Sequence, residues 1–163
     1  MKKLALILIG LLLVCSCRQV KEETELNEIT VEQKISVKER LEQLKADGFE
    51  TFDYIDETTN DTIIMQQYFI AFLKSGPNRN QSEEETAKLQ EAHLAHLSKM
   101  YEMGYADISG PFGDESDILG ITIYNTPTLK MADSLANLDP MVKAGRLVIE
   151  MHPWWAGKGF PLR

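Results

Sequence analysis

The chain has three histidines, and one of them is spaced to do chemistry. His93 has Leu89 four residues before it, Leu97 four after and Met100 seven after. In a helix that spacing puts the imidazole at the centre of an apolar stripe, where it is either buried or lines a pocket between helix and sheet. Imidazole changes charge close to neutrality, which makes it the common general acid or base. The competing assignment is a core histidine satisfied by a backbone carbonyl. His96 lies about 60° around the same helix, towards the edge of the stripe. His93-x-x-His96 is also an i, i+3 pair of potential metal ligands. A third ligand would have to come from His152, Asp107 or Asp114, and no spacing rule joins that set.

Other residues have plainer readings. Asp139 stands before Pro140, the pattern of an N-cap followed by proline in the first helical position, so a capping role accounts for its carboxylate. Gly110-Pro111-Phe112-Gly113 lacks the lysine and following helix of a phosphate loop; it reads as a turn at a pocket rim. Trp154 and Trp155 would pack at a dimer interface, close the pocket beside that rim, or cap the core at the last strand. Met65, Met100, Met103, Met131, Met141 and Met151 show no ligand cluster and read as core filler. Glu83-Glu84-Glu85 sits where a helix dipole favours negative charge. No residue set calls for a cofactor.

The elements that would hold these residues follow from pattern. Leu41 and Leu44 among charges, with Gly48 after them, predict a short amphipathic helix closed by a glycine C-cap. Phe49–Ile55 and Thr62–Leu73 flank the turn signal Asp56–Asp61 and predict a hairpin over 50–73. Ser82 with Glu85 forms a capping-box signature for a helix running to about Met103 and ended by Gly104. Short strands are expected at Tyr105–Ser109 and Asp117–Tyr124, with Gly110-Pro111 as a turn. Thr126-Pro127 would open a second helix ending near Leu138. Asp139-Pro140 would start a helical turn closed by Gly145, and Arg146–Met151 would be the last strand. The order after the hairpin is βαββαβ, the split βαβ arrangement.

The start of the chain reads as an export signal. Lys2 and Lys3 precede an apolar run of eleven residues, Leu4 to Val14. That is short of the roughly 20 apolar residues a spanning helix needs and fits a signal-peptide core. Val14-Cys15-Ser16-Cys17 then resembles a bacterial lipobox, with Cys17 as the lipidated residue; β-branched Val14 is too large to precede a cleavage at Cys15. Processing would leave no thiol in the mature chain for a disulfide, a metal or a nucleophile. The formal net charge is −8, and loss of Lys2 and Lys3 takes it to −10. No Lys/Arg cluster offsets this, so nucleic acid and anionic lipid surfaces are poor partners. The expected organisation is a signal over 1–16, a polar tether over 17–30, a helix and strand extension over 31–65, and a domain over 66–163. The membrane would be reached through lipid alone. Arg18 after the modified cysteine, where an aspartate would favour inner-membrane retention, points mildly to the outer membrane.

From about Tyr68 to Trp154 the chain resembles the YCII-related domain family. The pieces that carry the resemblance are Leu73-Lys74-Ser75-Gly76-Pro77, His93-Leu94-Ala95-His96-Leu97, Gly104, Gly110-Pro111-Phe112, Gly120, Leu138-Asp139-Pro140-Met141-Val142-Lys143-Ala144-Gly145 and Pro153-Trp154. The leader and the extension before Tyr68 depart from the minimal domain. The resemblance implies an α+β, ferredoxin-like βαββαβ fold that pairs as a dimeric α+β barrel. It also implies a His–Asp reactive pair, carried here by His93 and Asp139. Pairing has a physical motive: two helices cover one sheet face, and the other face must meet water or a partner. The function expected is His-assisted proton transfer or elimination on a small organic molecule by an envelope lipoprotein. The alternative is a non-catalytic ligand-binding or structural module. Partner docking through the extension is a third class and would need a large exposed apolar patch there.

Overall fold

The computed structural model describes residues 36–160 and 162. The signal, Cys17 with its lipid, and the tether all lie outside the described residues. The first element is helix α1 (Val37–Ala46), which buries Leu44 and ends at Gly48, whose φ of 85° needs glycine. The hairpin β1 (Thr51–Ile55) and β2 (Thr62–Ser75) follows, in register Thr51↔Gln66 to Ile55↔Thr62. Its turn is organised by Asp56, whose Oδ1 accepts from the backbone N–H of Thr58 (2.8 Å) and Thr59 (3.2 Å). Asn60 takes the left-handed conformation that asparagine tolerates.

Helix α2 (Glu83–Glu102) starts from the expected capping box at Ser82 and is followed by Gly104 at φ 72°. Then come β3 (Ala106–Pro111), β4 (Ile118–Tyr124), α3 (Leu129–Ala136), the short α4 (Pro140–Lys143) and β5 (Leu147–Gly157). The sheet is antiparallel throughout, ordered β5-β2-β4-β3, which is the ferredoxin-like α+β arrangement. β2 is the central strand. Met65 and Gln66 pair with both β1 and β5, and Phe69–Lys74 pair with both β4 and β5. A strand has two edges, so β1 and β4 lie end to end along one edge and β5 runs along the other. β2 crosses residue 65, and the extension and the domain therefore share a strand.

Alternation along β2 sorts the two faces. Phe69, Ala71 and Leu73 point to the helices and form the core with Met100 of α2, Ala132 and Ala136 of α3, Met141, Tyr124 and Leu147. Tyr68, Ile70 and Phe72 point the other way. Among the described residues no helix is long and apolar enough to cross a membrane.

Three expectations are corrected. α3 is capped by Thr128, not Thr126: the Thr128 hydroxyl accepts from Met131 N at 3.2 Å, and the Thr126 hydroxyl is spent on Thr128 O. Gly110-Pro111 is not a turn but the end of β3, paired with Ile121 and Gly120. Proline is tolerated there because β3 is an edge strand, and Gly120 is required because a Cβ on it would come within 2.6 Å of Gly110 O. Last, β5 runs past Met151 to Gly157 because Pro153–Gly157 pairs with the first half of β2, a stretch that only the hairpin extends.

Candidate active site

His93 is buried on the inner face of α2, as is Met100 seven residues on. Asp139 is buried too, at the N-cap of α4. The two meet, with His93 Nδ1 2.6 Å from Asp139 Oδ2. The other carboxylate oxygen, Oδ1, accepts from Met141 N at 2.8 Å. One side chain therefore caps a helix with one oxygen and contacts the imidazole with the other. The partner of His93 is this carboxylate and not a backbone carbonyl. An ionised carboxylate only accepts, so against it a neutral imidazole carries its proton on Nδ1 and its lone pair on Nε2.

His93 lines a cavity of about 380 Å³ between α2 and the β3–β4 end of the sheet. This is within the roughly 300–1,000 Å³ typical of small-molecule sites. Its walls are largely apolar: Leu73, Leu94, Leu97, Pro111, Met141 and Leu147. Nε2 makes no hydrogen bond among the described residues and is not among their sealed unpartnered atoms.

Of the expected rim residues, Gly110 and Pro111 line this cavity; Phe112 and Trp154 do not. Phe112 stands 44% exposed just past the end of β3. Trp154 lies on the opposite sheet face, its ring 6.2 Å from that of Tyr68, beside a separate cavity that Arg40 and Lys158 also line. Burial pushes the Tyr68 hydroxyl up to about 12 and holds the Lys158 ammonium below its usual value. Trp155 faces the helix side and packs on Phe52 of β1 at 5.0 Å.

The residues of the metal alternative are dispersed. His152 bonds Glu150 at 2.8 Å, Asp107 accepts from Asn125, and Asp114 accepts from Ser116. Among the described residues no three His, Cys, Asp or Glu side chains gather. His96 sits beside the pair but outside the cavity lining. Among the described residues its Nε2 is buried without a partner, and burial holds its pKa down against the opposing pull of Asp139.

Sequence reasoning missed Arg79 and Arg146, which line the same cavity as His93. Arg146 directly follows Gly145 and Arg79 comes three residues after Gly76, both glycines of the family segments, and that proximity was the available signal.

The model of the YCII-related domain family matches residues 69–154, more than half of the chain. No curated protein matches. A solved structure of 5-chloro-2-hydroxyhydroquinone dehydrochlorinase from Burkholderia phenoliruptrix AC1100, in complex with 2,5-dihydroxybenzoquinone, aligns with a TM-score of 0.41. It is 23% identical, and the alignment covers 53% of this chain and 92% of that one.

Proposed function

This chain belongs to the YCII-related domain family, and from that premise we propose that it is an enzyme moving a proton on a small organic molecule, with His93 as the acid–base group and Asp139 as its orienting partner. The observation that carries this reading is the 2.6 Å contact between His93 Nδ1 and Asp139 at the wall of an apolar cavity. With Nδ1–H committed to the carboxylate, Nε2 presents a lone pair. It takes a proton from a substrate carbon, and the C–H electron pair stays on the substrate. The imidazolium so formed is stabilised by Asp139, and it returns the proton to another atom of the substrate or to a departing group.

The proposal includes two further parts. Cys17 carries lipid and holds the protein in the cell envelope. The sheet face opposite α2 and α3, where Ile108 and Val148 are exposed and Ile70 and Phe72 partly so, packs against a second copy.

The test of the chemistry is solvent exchange. The protein is incubated in D₂O with a panel of small carbon acids, and deuterium uptake is read by mass spectrometry. Uptake catalysed by the native protein and abolished in His93→Gln supports the reading. Uptake undiminished in His93→Gln, or absent across the panel, sinks it.

A further inference from the structure

We propose that the cavity takes a small organic anion: a compact apolar body in van der Waals contact with the leucine and methionine walls, and a carboxylate or phenolate oxygen bound by Arg79 and Arg146. This names the substrate class of the site described above and rests on that site being the reactive one.

Three observations support it. First, both arginines line the cavity that His93 lines. Three arginines fall among the described residues, and the third, Arg40, lines the other sheet face's cavity. Second, neither cavity arginine is in an ion pair among the described residues. Arg146 donates from Nη1 to Gln81 Oε1 at 3.1 Å, and Arg79 donates from Nη2 to Ser75 Oγ. Both acceptors are neutral, and a guanidinium has five N–H donors. Two positive charges left without a carboxylate, in a chain with 25 acidic and 17 basic residues, are out of keeping with a surface placement chosen for ion pairing.

Third, the backbone holds the two arginines side by side. Gly76 N donates to Arg146 O at 2.9 Å and Asn78 N donates to Gly145 O at 3.0 Å. The approach is so close that a Cβ on Gly76 would overlap Gly145 O. Gly145 itself takes φ 69°, open to glycine, and a Cβ there would overlap the Asn78 amide. The segments before Arg79 and before Arg146 are thus locked together.

Burial gives the cavity a direction. His93 and Met141 are buried, Arg146 is half-buried and Arg79 is exposed. An anion entering would leave its charge at the arginines and put its apolar body towards the imidazole. Guanidinium pairs with carboxylates bidentately, which fixes orientation as well as affinity. An anionic oxygen conjugated to the reacting carbon would be stabilised by these arginines as negative charge develops there.

The test is binding, read without turnover. Benzoate and its neutral isostere benzamide are titrated into the protein by calorimetry, with ¹⁵N-HSQC shifts to locate the site. Saturable benzoate binding is expected, with weak or absent benzamide binding. Arg146→Gln should weaken benzoate about tenfold or more, and Arg79→Gln somewhat less because Arg79 is more exposed. Arg146→Lys should recover part of the loss and confirms that the fold tolerates the position. Arg40→Gln, in the cavity on the other sheet face, should leave benzoate affinity within about twofold. Absence of saturable benzoate binding, equal binding of benzamide, or full affinity in both glutamine variants overturns the proposal. Because the readout needs no reaction, loss of deuterium exchange with benzoate binding intact would remove the proton-transfer reading alone. Intact exchange without anion preference would remove this one alone.

Discussion

Replacing Asp139 by asparagine should invert the tautomer of His93 while sparing the helix cap. Met141 N donates to Oδ1 at 2.8 Å, and this backbone donor cannot move. It keeps the amide oxygen on its own side, so the amide NH₂ must face His93 Nδ1, where the carboxylate oxygen stood at 2.6 Å. In the native chain the charge-assisted bond favours the Nδ1–H form by about 1.5–3 kcal/mol. In the variant that form would set one donor against another, a cost of about 1–3 kcal/mol in the opposite sense. At 1.4 kcal/mol per factor of ten, either contribution alone shifts the ratio of the two forms about fivefold or more, and together they make Nε2–H dominant. A protonated Nε2 has no lone pair for a carbon acid, and a loss of about 10²–10⁴ in rate follows. The fold should lose less: the cap bond remains, and the missing charge at the start of α4 costs about 0.3–1 kcal/mol. Asp139→Ala should be worse for stability, because the cap goes (about 0.5–2 kcal/mol) and two buried donors lose their acceptor. The assay is ¹⁵N NMR of histidine-labelled protein, with His93 assigned through His93→Gln. An Asp139→Asn protein that folds and retains the Nδ1–H tautomer would refute the reasoning.

Other perturbations have equally definite outcomes. Ser82→Ala removes one arm of the capping box, in which Glu85 N donates to Ser82 Oγ at 3.2 Å, and should lower stability by about 0.5–2 kcal/mol in urea unfolding. Gly120→Ala drives a Cβ towards Gly110 O and Pro111 Cα, both backbone, and should cost about 1–3 kcal/mol while distorting the β3–β4 wall of the cavity, visible as shifted amide resonances for Ser109–Pro111. His96 has its pKa lowered mainly by burial, so the unfolded chain takes up its proton first as pH falls. Stability is therefore full above the ordinary value of 6.5 and declines as pH drops through the window below it. His96→Leu should flatten that part of the pH–stability curve, and an unchanged slope would exclude His96 as its source.

Local chemistry was the legible part of the sequence. The Ser82/Glu85 capping box, the Asp56–Asp61 turn, the glycine stops at Gly48 and Gly104 and the Asp139-Pro140 cap all act within a few residues, and each appears where the pattern put it. The expected split βαβ order also yields the observed strand order. Long-range pairing was not legible in the same way. Pro153-Trp154-Trp155 carries a proline and two bulky rings and looks like a strand terminus. It continues as strand because β2 extends beyond the minimal domain and offers it a partner. Gly110-Pro111 has turn composition, yet the close approach made possible by Gly120 turns it into strand. For the site, the apolar stripe placed His93 inward, but periodicity on one helix says nothing of which residue 46 positions away will meet it. The pairing with Asp139 came from family resemblance. Arg79 and Arg146 escaped because residues on two loops converge only through backbone bonds between those loops.

β2 also bears on how this protein could be cut. Its first residues reach beyond the end of β4, since Tyr124 pairs with Phe69 and nothing of β4 extends further. Along that stretch β1 is the only described strand on that side. A chain begun at the family's minimal boundary, Phe69, but kept to its end would lose Met65–Tyr68 and leave the N–H and C=O groups of Trp154–Gly157 that face them without partners. Such edges recruit strands from other molecules. The first half of β2 thus covers backbone that the minimal family unit would expose, and the continuous sheet is longer than the stretch that defines the family.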